Sequence, residues 1–230
     1  MSYKKSLLPI IFGLSLLFYC LSCKKEETNP FLFSSIEWNE FKIPEAGTVF
    51  CMTGNIDDEI YVSGFKNDAY FTTNKGKNWS KVAGQCQGGI IQGFLVSADT
   101  LFALTCGLGN KDGDFLGCPS SYTLKSKKEW RKKNHDIDDK KYWIEGSFIS
   151  PRAKASNGTV YFLSYIKESG NRQQLNKIFN RDTTFVLQVP LNNNIRSLYI
   201  DKQDRLYLGM NQVPANGKVA SLYVSKKPLP

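Results

Sequence analysis

One histidine, His135, and three methionines are all that 230 residues contain of either type. With a single imidazole and no Cys-x-x-Cys spacing, a Cys/His zinc site of the usual ligand pattern is excluded. Gly-x-Ser-x-Gly, P-loop and dinucleotide glycine patterns are also missing, which removes the hydrolase, nucleotide-hydrolase and Rossmann chemistries those loops serve. Beyond residue 22 no segment sustains an amphipathic 3.6-residue period over several turns, so helical architectures are excluded. The one long apolar run, Leu7 to Leu21, is shorter than the ~20 residues a membrane-spanning helix needs. A composition of 41% hydrophobic, 13% aromatic and 22% charged residues excludes a disordered chain.

That apolar run follows Lys4 and Lys5 and ends at Ser22-Cys23, the layout of a secretory leader. Leu21-Ser22-Cys23 resembles the lipobox of bacterial lipoproteins, with Cys20 where that family usually has Leu. The resemblance implies cleavage before Cys23, acylation of Cys23 with fatty acids such as palmitate, and a lipid-anchored protein of the cell envelope. Lys24-Lys25-Glu26-Glu27 resembles the surface-export tag of Bacteroidota lipoproteins, which implies the outer membrane. Residues 1–22 are thus expected to be a signal peptide and 23–32 a tether. Losing the leader's two lysines lowers the formal charge from +9 to +7.

The remainder is repetitive. GTVFCMTGNIDDEIYVSG (47–64), GIIQGFLVSADTLFALTCG (89–107), SFISPRAKASNGTVYFLSY (147–165) and NIRSLYIDKQDRLYLGM (194–210) each read as an apolar run, a polar turn and a second apolar run. The second run carries Tyr61, Phe102, Tyr161 and Tyr207 in turn. Aromatic and β-branched runs parted by Asp, Asn and Gly are strand–turn–strand signals, so the chain is expected to be all-β. Periods of about 40–50 residues are those of propeller blades. The repeats are placed near 47–83, 89–135, 147–190 and 194–230. The last lacks a fourth strand, and residues 36–43 resemble one. A small four-bladed β-propeller over 33–230, closed by this N-terminal strand, is therefore expected; a fragment of a longer array and another β architecture are the alternatives.

Thr72-x-Asn74-x-Gly76-x-x-Trp79 resembles the Asp-box turn of BNR-type propellers. Asn74 suits a side-chain-to-backbone turn and Gly76 a positive φ. Thr123 and Trp130 keep the same spacing, with Lys125 and Lys127 in place of the Asp and Gly. Trp38, Trp79 and Trp130 stand at one repeat position, which marks blade packing rather than a ligand platform; Trp79→Ala is expected to cost more than about 2 kcal/mol.

Cys51, Cys86, Cys106 and Cys118 remain after processing. An even number in an exported chain suggests disulfides, and the favoured pairs are Cys106–Cys118 and Cys51–Cys86. Asn110, Asp112 and Asp114 alternate as in calcium loops, but the further ligands such a loop needs are missing, so no metal is expected. Asp-box propellers include sialidases, whose first arginine sits in Arg-Ile-Pro. Here that place reads Lys42-Ile43-Pro44, and Lys lacks the bidentate grip of Arg on a carboxylate. His135 has no nucleophile motif beside it. No cofactor is expected.

Residues 125–141 hold eight basic and four acidic residues, a run that suits an anionic or polar partner. Lys125, Lys127, Arg131 and Lys133 are expected on one side of an alternating strand, with Trp143 beside them, as the partner-contact set. Nucleic acid is not an expected partner for an envelope lipoprotein. The sequence thus points to a monomeric, non-catalytic propeller, anchored to the membrane, that binds a protein or glycan. A glycan-active hydrolase or lyase, and an assembly factor for an envelope protein like the photosystem-assembly propellers, are the alternatives.

Overall fold

The computed structural model describes residues 36–230, apart from 110–113, 133–140, 145, 147–149, 167–171, 180–182, 188, 190–193, 212–217 and 230. The expectations for the leader, the tether, Cys23, Lys133, His135, Asn110 and Asp112 lie outside the described residues. Seventeen strands are described, and a 3-10 turn at Phe65–Asn67 is the only helical element among the described residues. No described helix is long and apolar enough to cross a membrane.

The chain enters on β1 (Trp38–Ile43) and then builds four antiparallel sheets in sequence order. Sheet one holds β2 (Met52–Gly54), β3 (Ile60–Ser63), β4 (Ala69–Thr72) and β5 (Ser80–Lys81). Sheet two holds β6 (Gly93–Ser97), β7 (Thr100–Gly109) and β8 (Phe115–Leu124), with β9 (Arg131–Lys132) and β10 (Tyr142–Ile144) both on the outer edge of β8. Sheet three holds β11 (Arg152–Lys154), β12 (Val160–Ile166), β13 (Arg172–Phe179) and β14 (Thr183–Leu187). Sheet four holds β15 (Ile195–Ile200), β16 (Leu206–Met210) and β17 (Ala220–Ser225), and β1 is its outermost strand. The pairing of β1 runs from Trp38 opposite Ser225 to Ile43 opposite Ala220. It covers an edge that would otherwise offer bare N–H and C=O groups.

The repeated residues do repeated work. In the first turn of three sheets an Asn or Asp side chain accepts a backbone N–H two residues on: Asp57 N–H to Asn55, Thr159 N–H to Asn157, and Gln203 N–H to Asp201. The aligned aromatic stands on the second strand each time; Tyr61, Tyr161 and Tyr207 are fully buried there and Phe102 is half-buried. Three hydrophobic clusters lie between neighbouring sheets: one joins sheets four and one, one joins three and four, one joins one and two. Arg152 of sheet three is ion-paired to Asp114, just ahead of β8 in sheet two.

Packing has a measurable signature at high pH. Burial pushes up Tyr61, Tyr70, Tyr161, Tyr199, Tyr207 and Tyr223, Tyr70 and Tyr161 to about 12. The fold therefore holds neutral tyrosines whose unfolded counterparts ionise near pH 10. Above that pH the unfolded chain binds fewer protons than the folded one, so stability falls as pH rises. Stability set by these groups should be constant through neutral pH and then fall between pH 10 and about 12. Tyrosinate absorbance and far-UV circular dichroism should change together there. Ionisation of all eleven tyrosines near pH 10 with the sheets intact would show that these six rings are open to water.

Candidate functional site

A cavity of about 300 Å³ is lined by residues of sheets one, two and four. Its walls come from β2 with Phe50, from β6 with Gln92 and Phe94, from β15 with Ser197 and Tyr199, and from β10 with Tyr142 and Trp143. The long hairpin of β7 and β8 has register shifts between Ala103 and Gly107, and β10 pairs with the far end of β8, Tyr142 opposite Gly117. Ile144 seats this short strand. Its Cδ1 lies where a Cβ at Gly93 or Gly117 would come within 2.9 or 2.8 Å, so a side chain at either position would displace Ile144. Gly146 N–H donates to Asp114 Oδ1.

The wall is fixed from outside. Tyr199 O–H donates to Gly54 C=O at 3.0 Å and accepts Gly54 N–H at 3.1 Å, locking β15 to β2. Nearby, Tyr207 O–H donates to Asp201 at 2.8 Å and accepts Ile56 N–H. Arg205 is paired to Asp201 and reaches across to Asp57 and Asn55 of sheet one. Asp201 itself is buried, so this charge is satisfied by a full set of partners.

Gln92 is the polar residue of the cavity without an account of its own. Its backbone N–H bonds Leu104 C=O, but its side-chain Oε1 is buried with no hydrogen-bond partner among the described residues. Trp143 is the opposite case: 59% exposed, an apolar ring at the cavity's edge.

The other expected site residues are separated. Thr72, Asn74, Gly76 and Trp79 do form one tight turn. Asn74 accepts the Thr72 hydroxyl at 2.9 Å and Asn78 N–H at 3.0 Å, while Thr72 accepts Gly76 N–H at 3.2 Å. Gly76 has φ +74°, and a Cβ there would stand 2.3 Å from the Phe41 ring. This turn is structural, and Trp79 packs into the cluster between sheets four and one. The basic set does not share one strand. β8 ends at Leu124, and Lys125 and Lys127 sit in the turn before β9, where Arg131 begins an exposed strand. Trp143 pairs opposite Leu116, nine residues of strand from Lys125 and thus roughly 30 Å away. Lys125 instead lines a mixed-charge groove of about 710 Å³ with Asp57, Asp58, Glu59 and Lys202. Lys128, from the same run, turns inward to Glu59 and the Tyr61 hydroxyl, 4.8 Å from the centres of the Tyr61 and Phe71 rings.

The expected Cys51–Cys86 disulfide is absent: both are free, buried thiols. The Cys51 sulfur is directed at Ser63 Oγ (3.2 Å) and Ile91 C=O (3.5 Å), the Cys86 sulfur at Gln87 C=O and Ser120. Burial pushes the Cys51 thiol up to about 12 and raises Cys86 as well. Neither carries the thiolate a nucleophile needs at neutral pH. The Cys106 side chain lies outside the described residues. Lys42, where a sialidase would hold arginine, is paired to Glu40 and donates to Ser221 Oγ at 2.9 Å. Among the described residues no three His, Cys, Asp or Glu side chains group to hold a metal ion.

No family model matches the chain, and no curated protein does. Among solved structures it is similar to virginiamycin B lyase of Staphylococcus aureus, at 9% identity over 81% of this chain and 99% of that one, TM-score 0.37. A luciferin-regenerating enzyme is similar at 9% identity over 84% and 98%, TM-score 0.43. A protein of unknown function from Bacteroides thetaiotaomicron is similar at 8% identity over 82% and 77%, TM-score 0.43. These are β-propeller-like proteins, and the likeness says nothing of what this chain binds or does.

Proposed function

We propose that this chain is a non-catalytic, lipid-anchored β-propeller of the bacterial cell envelope, in which the four sheets are blades of one ring closed by β1. The ring reading is supported by β1 on the edge of β17 and by the clusters between successive sheets. The observation that carries the binding reading is the chemistry of the inner cavity. Its described lining is aromatic and neutral, with one buried amide oxygen lacking a partner and no carboxylate or imidazole to move a proton. Such a described lining supports the recognition reading. Cys106–Cys118 pairing, acylation at Cys23 and an outer-membrane location belong to the same proposal. Together they make an exported module tethered by its N-terminus that offers the cavity to an envelope glycan or protein.

Two measurements test it. Cys23→Ala should abolish labelling by radioactive palmitate, and unchanged labelling would remove the lipid anchor. The full chain should be melted with glycan and protein fractions of the envelope of the producing cells. Binding predicts that one fraction raises the melting temperature and leaves unaltered, whereas release of reducing ends or of unsaturated sugars would establish the hydrolase or lyase alternative.

A further inference from the structure

Strand pairing gathers one set of turns at one end of each sheet. In sheet one the turns at 55–59 and 73–79 share an end, because Ile60 stands opposite Thr72. In sheet two the turns at 98–99 and 125–130 do the same, with Thr100 opposite Leu124. Contacts then set these ends side by side. Arg205 of sheet four reaches Asp57 and Asn55 of sheet one, Lys128 of sheet two is paired to Glu59, and Ser156 of sheet three bonds Asp204 of sheet four. β1 begins at this face as well: Trp38 is opposite Ser225, and Lys226 N–H donates to Glu37 C=O. The segment leading back to Cys23 therefore joins the fold here. The 13 residue steps from Cys23 to Ile36 span at most about 45 Å, so a lipid on Cys23 keeps this face within that distance of the bilayer.

The charges of the face are sorted by position. Its acids stand in the turns after the innermost strands and most are engaged: Asp57 and Asp201 with Arg205, Glu59 with Lys128, Asp204 with Ser156 and Asp99 with Ser126, with Asp58 left exposed. The turns that lead into outer strands, and the chain after β17, are basic. They carry Lys75, Lys77, Lys125, Lys127, Lys226 and Lys227, against Glu129 and a Glu37 that is paired to Lys226. Residues 180–182, between β13 and β14, hold one charge of each sign. Lys75, Lys77, Lys127 and Lys227 are exposed. A lysine is a hydrated point charge on a long flexible stem, which suits a layer of headgroups better than a shaped pocket.

Resting on the lipid-anchor reading above, we propose that this face docks through its rim lysines on anionic headgroups of the membrane that holds the anchor. The lipid on Cys23 brings the face to the bilayer, and attraction of the lysines to a negative surface then fixes which way the fold points. Trp143 pairs opposite Leu116, at the far end of β8 from Lys125. Docking thus turns the cavity's exposed indole away from the membrane.

The test inserts the acylated chain into preformed vesicles, either of phosphatidylcholine alone or of equal parts phosphatidylcholine and phosphatidylglycerol. Exposed lysines are acetylated by a water-soluble ester and read one by one by mass spectrometry. Labelling of Lys75, Lys77, Lys127 and Lys227 should fall about fivefold in the anionic vesicles relative to the neutral ones. Lys66 and Lys218, exposed at the opposite end of their sheets, should label equally in both. Salt at about 1 M, which cuts the screening length to about 3 Å, should remove the difference. Combining Lys75→Glu, Lys77→Glu, Lys127→Glu and Lys227→Glu should leave the melting temperature unchanged and remove the protection of Lys125 and Lys226. Equal labelling of the rim in the two vesicles, or equal protection of Lys66 and Lys218, overturns the proposal. Rim protection that requires an envelope protein and not anionic lipid overturns it too. Flotation separates the docking face from the anchor. A chain that floats with anionic vesicles alone keeps the docking face and loses the lipid, and one that floats with neither loses both.

Discussion

Deletion of residues 33–45 is expected to leave a chain without a cooperative thermal transition, prone to aggregate on expression. The deletion removes all of β1, six residues paired along the full length of β17. Every residue of β17 is buried, so the strand left behind is an apolar edge with open hydrogen-bonding groups, the template for aggregation. Ile43 is fully buried, and Phe41 and Trp38 pack against two different clusters, one on each side of sheet four. Burying a large apolar side chain contributes about 1.5–3 kcal/mol. Three of them plus a strand of ladder bonds compare with the whole stability of a domain, roughly 5–15 kcal/mol. Deletion of residues 24–32 is the control and should leave the melting temperature unchanged. A cooperative melt near the wild-type temperature for both truncations would mean that β1 adds nothing to the fold.

The strand rhythm was legible because each repeat carries its own local chemistry. Asn55, Asn157 and Asp201 close turns with their own backbone, and Tyr61, Tyr161 and Tyr207 fill the same buried place; both are signals within a few residues. The link of β1 to β17 was readable because two incomplete repeats complement each other at opposite ends of the chain. The cavity was not readable. Phe50, Gln92, Tyr142 and Ser197 come from four stretches of sequence, and one of them, β10, is three residues long, too short to register as a strand. Its pairing exists because the far end of β8 has a free edge and Gly93 and Gly117 leave room for Ile144. The sulfur directions that rule out a Cys51–Cys86 bond, and the inward turn of Lys128, depend on partners such as Ile91 and Tyr61 that lie 40 and 67 residues away. Composition of a basic run says how many charges it holds, not which one is drawn inside.

Trp130→Ala is expected to cost about 3–5 kcal/mol, the range for emptying a large aromatic site in a core. Trp130 is 7% exposed and sits in the cluster between sheets one and two with Tyr61, Val82 and Leu101. The backbone around it joins the sheets as well: Trp130 N–H donates to Ala83 C=O at 2.9 Å, and Ala83 N–H to Lys128 C=O at 2.8 Å. The cavity left by alanine can close only by moving those two strands, which the backbone bonds resist. Trp79 is half-buried, so Trp79→Ala should fall nearer 2 kcal/mol. Trp130→Phe separates volume from hydrogen bonding. The Trp130 indole N–H is buried with no partner among the described residues, and a buried donor left unbonded carries a penalty of about 1–3 kcal/mol. Phenylalanine gives up some contact but also relieves that penalty, so Trp130→Phe should lie within about 1 kcal/mol of wild type. Urea melts of the three variants read these differences as midpoint shifts at constant slope. Equal losses in Trp130→Phe and Trp130→Ala would show that the indole nitrogen is bonded after all and that the tryptophan is held by polarity rather than by packing.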